Sequence, residues 1–379
     1  MRIKTITCHD VYNYGASLQA YALQHYLSSL GHDVEIIDYQ PEYLQHSYNF
    51  WYIPERHRFY KRCKRNIVFH FLYAIRLIPI TYATWGRIRP FKDFKKKYLK
   101  CTRQKFHNIS ELRNGKTEAD VFIAGSDQIW NCKLPNGLDP AFYLNFGDVS
   151  IKRVSYAASF AISEIPAENK ETVKTYLSVL NAISVRERTG VSIANDLGYS
   201  ATLVLDPVFL LSKQEWQQFA GSKPIIDKDY LLVYHLFSKN HLIPENALSF
   251  AKLHNLIIVS VNDKQKREYA DINISNAGPV EFVNLLFHSK YVIADSFHAT
   301  AFSIILNKPF SIYYDNQNSS RITDCLNLFA LSHCYNPQNP VVDIDWSIVN
   351  YRLRDSVQCS KSFINKELQS NENISVTSK

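Results

Sequence analysis

Six short apolar runs in this chain each break off at a polar or charged cluster, and this repeated junction restricts the fold more than any other feature. Arg2 to Thr7 leads to Asn13-Tyr14-Gly15, Val121 to Ala124 to Gly125-Ser126-Asp127, Val154 to Ala158 to Ser159, Ala182 to Val185 to Arg186-Glu187, and Thr202 to Leu205 to Asp206-Pro207. The sharpest is Tyr291 to Ala294, which runs into Asp295-Ser296-Phe297-His298 and at once into helical spacing from Ala299 to Asn307. Short apolar runs alternating with helical stretches are the pattern of parallel sheets covered on both faces. In such sheets ligands bind outside the carboxyl ends of the strands, at helix N-termini. The polar clusters therefore mark a cleft.

The opening reads as a βαβ unit: strand Arg2 to Thr7, helix Ala16 to Leu30 with Gly31 after it, and strand Asp33 to Asp38. A dinucleotide fingerprint needs three glycines, and Asn13-Tyr14-Gly15-Ala16-Ser17 supplies one, which argues against NAD and FAD. Strands near Val121, Val154, Ala182 and Thr202 follow, with helices at Glu168 to Asn181 and Gly190 to Leu197; the polar run Ser212 to Asp229 reads as a connection. A second series then runs from strand Tyr230 to Leu236 through to helix Arg321 to Ala330. The expected fold is α/β, with two facing doubly wound Rossmann-like domains. They are placed at residues 1–210 and 225–335, with a basic helical insertion at about 50–105 and a C-terminal segment, 336–379, whose polar tail from Gln358 is expected to fray.

At 379 residues the chain suits two domains. No secretory signal follows Arg2 and Lys4, and Ile67 to Ile80, interrupted by His70 and Arg76, falls short of the ~20 apolar residues of a spanning helix. Seven scattered cysteines without a C-x-x-C pair read as reduced thiols in a cytoplasm, not as a structural zinc site. Between Glu55 and Lys105, sixteen Lys/Arg face two acids, so this stretch carries +14 of a total of +8 and the remainder is acidic at −6. Its interleaved aromatics would suit an anionic membrane surface or an anionic lipid-linked glycan; the alternative is an insertion with a solvated basic face. No nucleic-acid motif is present, so no nucleic-acid partner is expected.

Several junctions resemble the bacterial polysaccharide pyruvyl transferase family: Asn13-Tyr14-Gly15-Ala16-Ser17-Leu18-Gln19, Gly125-Ser126-Asp127-Gln128-Ile129-Trp130-Asn131, Tyr156-Ala157-Ala158-Ser159-Phe160, Ser184-Val185-Arg186-Glu187, Leu205-Asp206-Pro207, Asp295-Ser296-Phe297-His298 and Ser320-Arg321-Ile322. Their order and spacing cover the chain from about Arg2 to Leu331, apart from the insertion. The resemblance implies a GT-B-like fold and transfer of pyruvate from phosphoenolpyruvate onto two sugar hydroxyls as a cyclic ketal. The acceptor would be a sugar or lipid-linked oligosaccharide, a precursor of exopolysaccharide. Many members carry Arg two residues before the histidine, and this chain has Ser296 there, so another cation must hold the donor or donor choice differs.

Phosphoenolpyruvate needs fixed cations for two anionic groups, and Arg186 is the best candidate; its alternative is an ion pair with Glu187 or Asp206. The donor methylene must be protonated, for which His298 fits by type and position. Asp127 is either the base for the attacking hydroxyl or a turn or cap aspartate, and Arg321 either clamps phosphate or lies on the surface. Asn13, Tyr14 and Gln19 are the acceptor-side candidates, with Tyr14 alternatively core. Ser296 completes the donor set. No G-x-S-x-G elbow, P-loop or metal-ligand spacing competes, and protonation of an enol ether needs no metal, so no cofactor is expected. The rivals are a nucleotide-sugar glycosyltransferase on the same fold and a non-catalytic glycan-binding relative.

Overall fold

A computed structural model describes residues 1–45, 62, 65–236, 240–262, 266–314 and 320–376. It contains two five-stranded sheets, each wholly parallel and each with the same order, an inner pair flanked by crossovers. The first runs β3 (Cys101–Phe106), β2 (Asp33–Tyr39), β1 (Arg2–Ile6), β4 (Val121–Ala124), β5 (Lys152–Ser155). A two-stranded parallel extension follows it, β6 (Ser184–Val185) with β7 (Thr202–Leu203). The second sheet runs β10 (Ile272–Ile274), β9 (Ile257–Val261), β8 (Tyr230–Tyr234), β11 (Tyr291–Ala294), β12 (Phe310–Ile312). In each, the chain reverses direction of travel between two neighbours, β1/β4 and β8/β11, and crevices open at such switch points.

Local chemistry accounts for the elements. β8 and β11 are buried at every position, as parallel strands covered on both faces must be. The helix Tyr14–Ser29 starts at Asn13, whose side chain accepts from the Ala16 N–H at 3.2 Å, and ends before Gly31 at φ +85°, a left-handed position that favours glycine. Residues 212–229, read above as a connection, contain the helix Lys213–Ala220: Ser212 and Glu215 form a capping box, and Trp216 is buried. The strands β3 and β10 were not read from the sequence. β3 lies within the stretch assigned to the basic insertion, because its charged CTRQKF pattern hides an edge strand.

The insertion contributes a helix, Ile67–Tyr98, and two of its aromatics belong to the core instead of to an exposed face. Phe91 and Phe94 are buried, with Phe91 stacked on Tyr14 and Phe94 edge-on to Tyr21. Phe59 and Tyr60, also counted among its aromatics, lie outside the described residues. No described helix is long and apolar enough to cross a membrane.

The sheets share one apolar core across the cleft floor. Tyr14 stacks on Phe282 with ring centroids 4.3 Å apart, and Trp216 meets Tyr21 on one side and Phe302 on the other. The C-terminal segment is not a fraying tail: a helix spans Trp346–Val376 and crosses back to the first domain. Tyr26 donates to Asn365, Lys152 pairs with Glu367 at 2.9 Å, and the Leu205 N–H donates to Ser360. Ile364 and Leu368 are buried there, spaced i, i+4 on one helical face that the polar composition obscured. Leu368→Ala should therefore lower unfolding stability by about 2–5 kcal/mol, read as a urea midpoint shift at unchanged slope; an unchanged midpoint would mean that the helix is undocked.

Candidate active site

The site forms where the ends of β4, β6, β7 and β11 converge. Asp127 follows β4 with φ 72°, a left-handed conformation that aspartate tolerates better than most residues, and no helix starts there for it to cap. Arg186 and Glu187 follow β6, and Asp206 lies three residues after β7, accepting from the Val208 N–H at 3.1 Å. The Arg186 side chain is almost wholly buried. It donates to Asp206 at 2.5 Å, to Ser126 at 3.3 Å and to Asp127 at 3.4 Å, with Glu187 3.8 Å from its Nε. Its guanidinium also lies 4.8 Å from the Phe297 ring centroid, in the second domain. Glu187 is itself fixed by Ser159 and by the Phe160 and Ala161 N–H groups.

His298 enters from the other side, in the first turn of the helix Phe297–Leu306. Its Nε2 is 3.9 Å from an Asp206 oxygen, and this buried nitrogen has no hydrogen-bond partner. Buried polar atoms are rarely left so. Burial lowers the His298 pKa, and Arg186 and Arg321 add to this against Asp206 and Asp127, so the free imidazole is neutral at neutral pH. Gly15, at the start of the first domain's opening helix, packs on the imidazole so closely that a Cβ there would lie 1.9 Å from Nδ1. Burial would raise the Asp127 pKa, but Arg186, His298 and Arg321 together hold it below the ordinary carboxylate value.

The remaining expectations divide. Arg321 is half-buried, electrostatically coupled to Arg186 and Asp127, and both its Nη atoms lie within 3.3 Å of the Gln128 amide oxygen once that amide is oriented to satisfy its neighbours. It is thus part of the site, not the surface. For Arg186 the structure shows the ion pairs that were its alternative reading: Asp206, Asp127 and Glu187 surround its guanidinium. Two of the acceptor-side residues are corrected. Tyr14 is core, its hydroxyl donating to the Ala277 carbonyl at 3.0 Å; Gln19 is buried and donates to Thr7 and to the Ala16 carbonyl. Asn13 remains exposed as the helix cap. Ser296 is buried and accepts, through its carbonyl, from the Thr300 hydroxyl at 2.9 Å.

Sequence reading underrated Asp206 and Glu187, treating them only as possible partners of Arg186. It missed the cluster beyond β8 and β9, where Arg267 donates to the His235 carbonyl at 2.6 Å and His235 meets Tyr269. His235 directly follows β8, so the strand-end rule that found His298 could have found it too.

A family model described as polysaccharide pyruvyl transferase matches residues 13–316, a span that includes Asp127, Arg186, Asp206 and His298 and stops short of Arg321. The chain belongs to the polysaccharide pyruvyl transferase family. It is a transferase by that membership. No curated protein matches the sequence. Among solved structures it is similar to UDP-GlcNAc 2-epimerase from Methanocaldococcus jannaschii, with TM-score 0.52 and 11% identity over 94% of this chain and 93% of that one. It is also similar to UDP-N-acetylglucosamine 2-epimerase from Rickettsia bellii, with TM-score 0.50 and 11% identity over 100% and 99% of the two chains. At such identity the likeness is one of fold, the two-domain GT-B type.

The close approach of Gly15 yields a prediction for the family site. Gly15→Ala should displace the imidazole and lower turnover by about a hundredfold, the scale of a 1 Å misplacement in a catalytic site, with the far-ultraviolet spectrum unchanged. Unaltered turnover would show that the position of His298 is irrelevant to catalysis.

Proposed function

We propose that this transferase moves pyruvate from phosphoenolpyruvate onto two hydroxyls of a sugar in a cell-surface polysaccharide precursor, closing a cyclic ketal. The observation that supports this reading best is the unpartnered Nε2 of His298, buried beside Asp206 in a cleft between two parallel sheets. A protonated His298 would deliver its proton to the donor's methylene carbon, leaving C2 cationic and open to a sugar hydroxyl. That hydroxyl's proton returns to a base, with Asp127 as the candidate. Attack by the second hydroxyl then expels phosphate, which leaves with the second hydroxyl proton. Two C–O bonds form, the C–O bond to phosphate breaks, and one C–H bond is made, so the step needs neither oxidant nor reductant.

Arg321 is the cation we assign to the donor, since Arg186 is enclosed by Asp206, Asp127 and Glu187 and Ser296 stands where relatives carry arginine. Arg186 and Asp206 then act as positioning residues. Arg186 holds Asp206 in place, and Asp206 steadies the imidazolium when it forms.

The free His298 is neutral because burial lowers its pKa, and a bound trianionic donor pushes it upward. Donor binding near neutral pH should therefore take up a proton, and affinity should fall as pH rises from the pKa of the free imidazole to that of the complex, levelling off above it. Calorimetry in buffers of different ionisation enthalpy checks this; the uptake should vanish in His298→Gln, and equal uptake in that variant would remove His298 as the proton carrier.

A thermal-unfolding series tests the donor itself. Phosphoenolpyruvate at a hundredfold over its dissociation constant should add about 2.7 kcal/mol of stability, a shift of a few degrees in a chain of this size, and Arg321→Ala should abolish it. A shift only with nucleotide sugars would reassign the chain to glycosyl transfer, and no shift with any donor would leave it a glycan-binding relative.

A further inference from the structure

A cavity of about 690 Å³ opens at the same carboxyl edge of the first sheet, on the β2/β3 side of the cleft. Lys92, Lys95, Lys96 and Lys105 line it, facing only two carboxylates, Asp10 and Asp38. The three helical lysines fall at i, i+3 and i+4 on the last turns of Ile67–Tyr98, where like charges repel. Lys105 is brought beside Asp38 by an irregularity in the β2–β3 pairing, the kind of bulge that re-aims side chains at a sheet edge.

The two carboxylates are already engaged. Lys95 bonds Asp10 at 3.0 Å and Asp38 at 2.8 Å, and the same Asp38 oxygen accepts from His9 at 3.0 Å and Gln40 at 2.7 Å. Burial works against a charge on His9, but its bonds to Asp38 and Cys101 prevail and lift its pKa to about 9, so it is a cation at neutral pH. His9, Asp38 and Cys101 have ligand atoms within 4.8 Å of one another, a grouping no sequence spacing reveals. With Lys95 and a protonated imidazole on the carboxylate, and three more lysines around it, that grouping is an ion-pair cluster set in a field that repels metal cations. Lys92, Lys96 and Lys105 are exposed and have no ion pair among the described residues. Their charge is left for something outside the protein.

We propose that this pocket is a phosphate-binding subsite, occupied by a mono- or diphosphate group carried by the sugar acceptor. The loop Cys8 to Asn13 joins it to the catalytic cleft: Asp10 and Tyr12 line the pocket, and Gly15 touches His298. A sugar ester bound through its phosphate at the lysines would extend along the carboxyl edge toward the imidazole. Assignment to the acceptor rests on the pyruvyl-transfer reading; assignment to an anion does not.

Calorimetry of the full-length protein with inorganic pyrophosphate tests the pocket, using a Lys92→Ala/Lys96→Ala/Lys105→Ala variant, whose exposed changes leave the core intact. Pyrophosphate affinity should drop at least about tenfold in the variant, while the thermal shift with phosphoenolpyruvate stays as in the parent. A glycosyl diphosphate that binds the parent more tightly than pyrophosphate assigns the group to the acceptor, and equal affinity assigns it to a free anion; both keep the subsite. Pyrophosphate that the variant binds as well as the parent, or that phosphoenolpyruvate displaces, overturns it. So does a variant that loses sedimentation with phosphatidylglycerol vesicles but keeps its pyrophosphate affinity, because the lysines would then meet a membrane surface. Absence of a phosphoenolpyruvate shift with pyrophosphate binding still lysine-dependent would sink the donor reading and leave the subsite standing.

Discussion

The buried guanidinium of Arg186 is the interaction on which the rest of the site depends. A cation taken out of water costs several kcal/mol unless it is compensated, and here Asp206, Asp127 and Glu187 compensate it from three different strand ends. Two of those carboxylates are in turn fixed, Asp206 by Ser126 and the Val208 N–H, Glu187 by the loop after β5. Phe297 covers the guanidinium from the second domain, so the network extends across the cleft floor. It leaves one Asp206 oxygen 3.9 Å from the imidazole and keeps Asp127 ionised.

Across that floor the two domains are held by apolar packing as well as by charge. Relative motion is the default for domains joined by small polar interfaces, but the Tyr14–Phe282 stack and the Trp216 contacts make this one continuous with both cores. The C-terminal helix adds a second tie, anchored by Ile364 and Leu368. Gly15 can then lie against His298 with no room for a methyl group, a tolerance that a loosely hinged pair of domains would not sustain.

The electrostatics of the His298 cluster and of the lysine-lined cavity differ in kind. Around His298 the acids are paired with Arg186, and burial keeps the imidazole neutral. Around Lys95 the acids are saturated from within the protein, and the surplus of positive charge faces outward. A donor that must be protonated and an acceptor that must only be held would call for this difference, the first site responsive to its ligand and the second a fixed electrostatic seat.

Much of this was legible in the sequence, because strand-end chemistry is local. Apolar runs ending in polar clusters gave the alternation of strands and helices, and the residues just past those ends, Asp127, Arg186 and His298, lie together in the fold. What the sequence could not decide was which side chains face the cleft and which are consumed by neighbours. From the sequence Arg186 is either an anion clamp or an ion-pair partner until its three carboxylates are seen around it, Tyr14 is either a cleft or a core residue until the second domain closes over it, and Gln19 reads as a cleft residue until Thr7 engages it. The C-terminal helix and β3 escaped notice because charge on an exposed face masks the periodicity of the buried one. Local sequence sets which elements form and which residues end them; the charge state, burial and partners of a side chain depend on groups distant in the chain, and only tertiary packing brings those together.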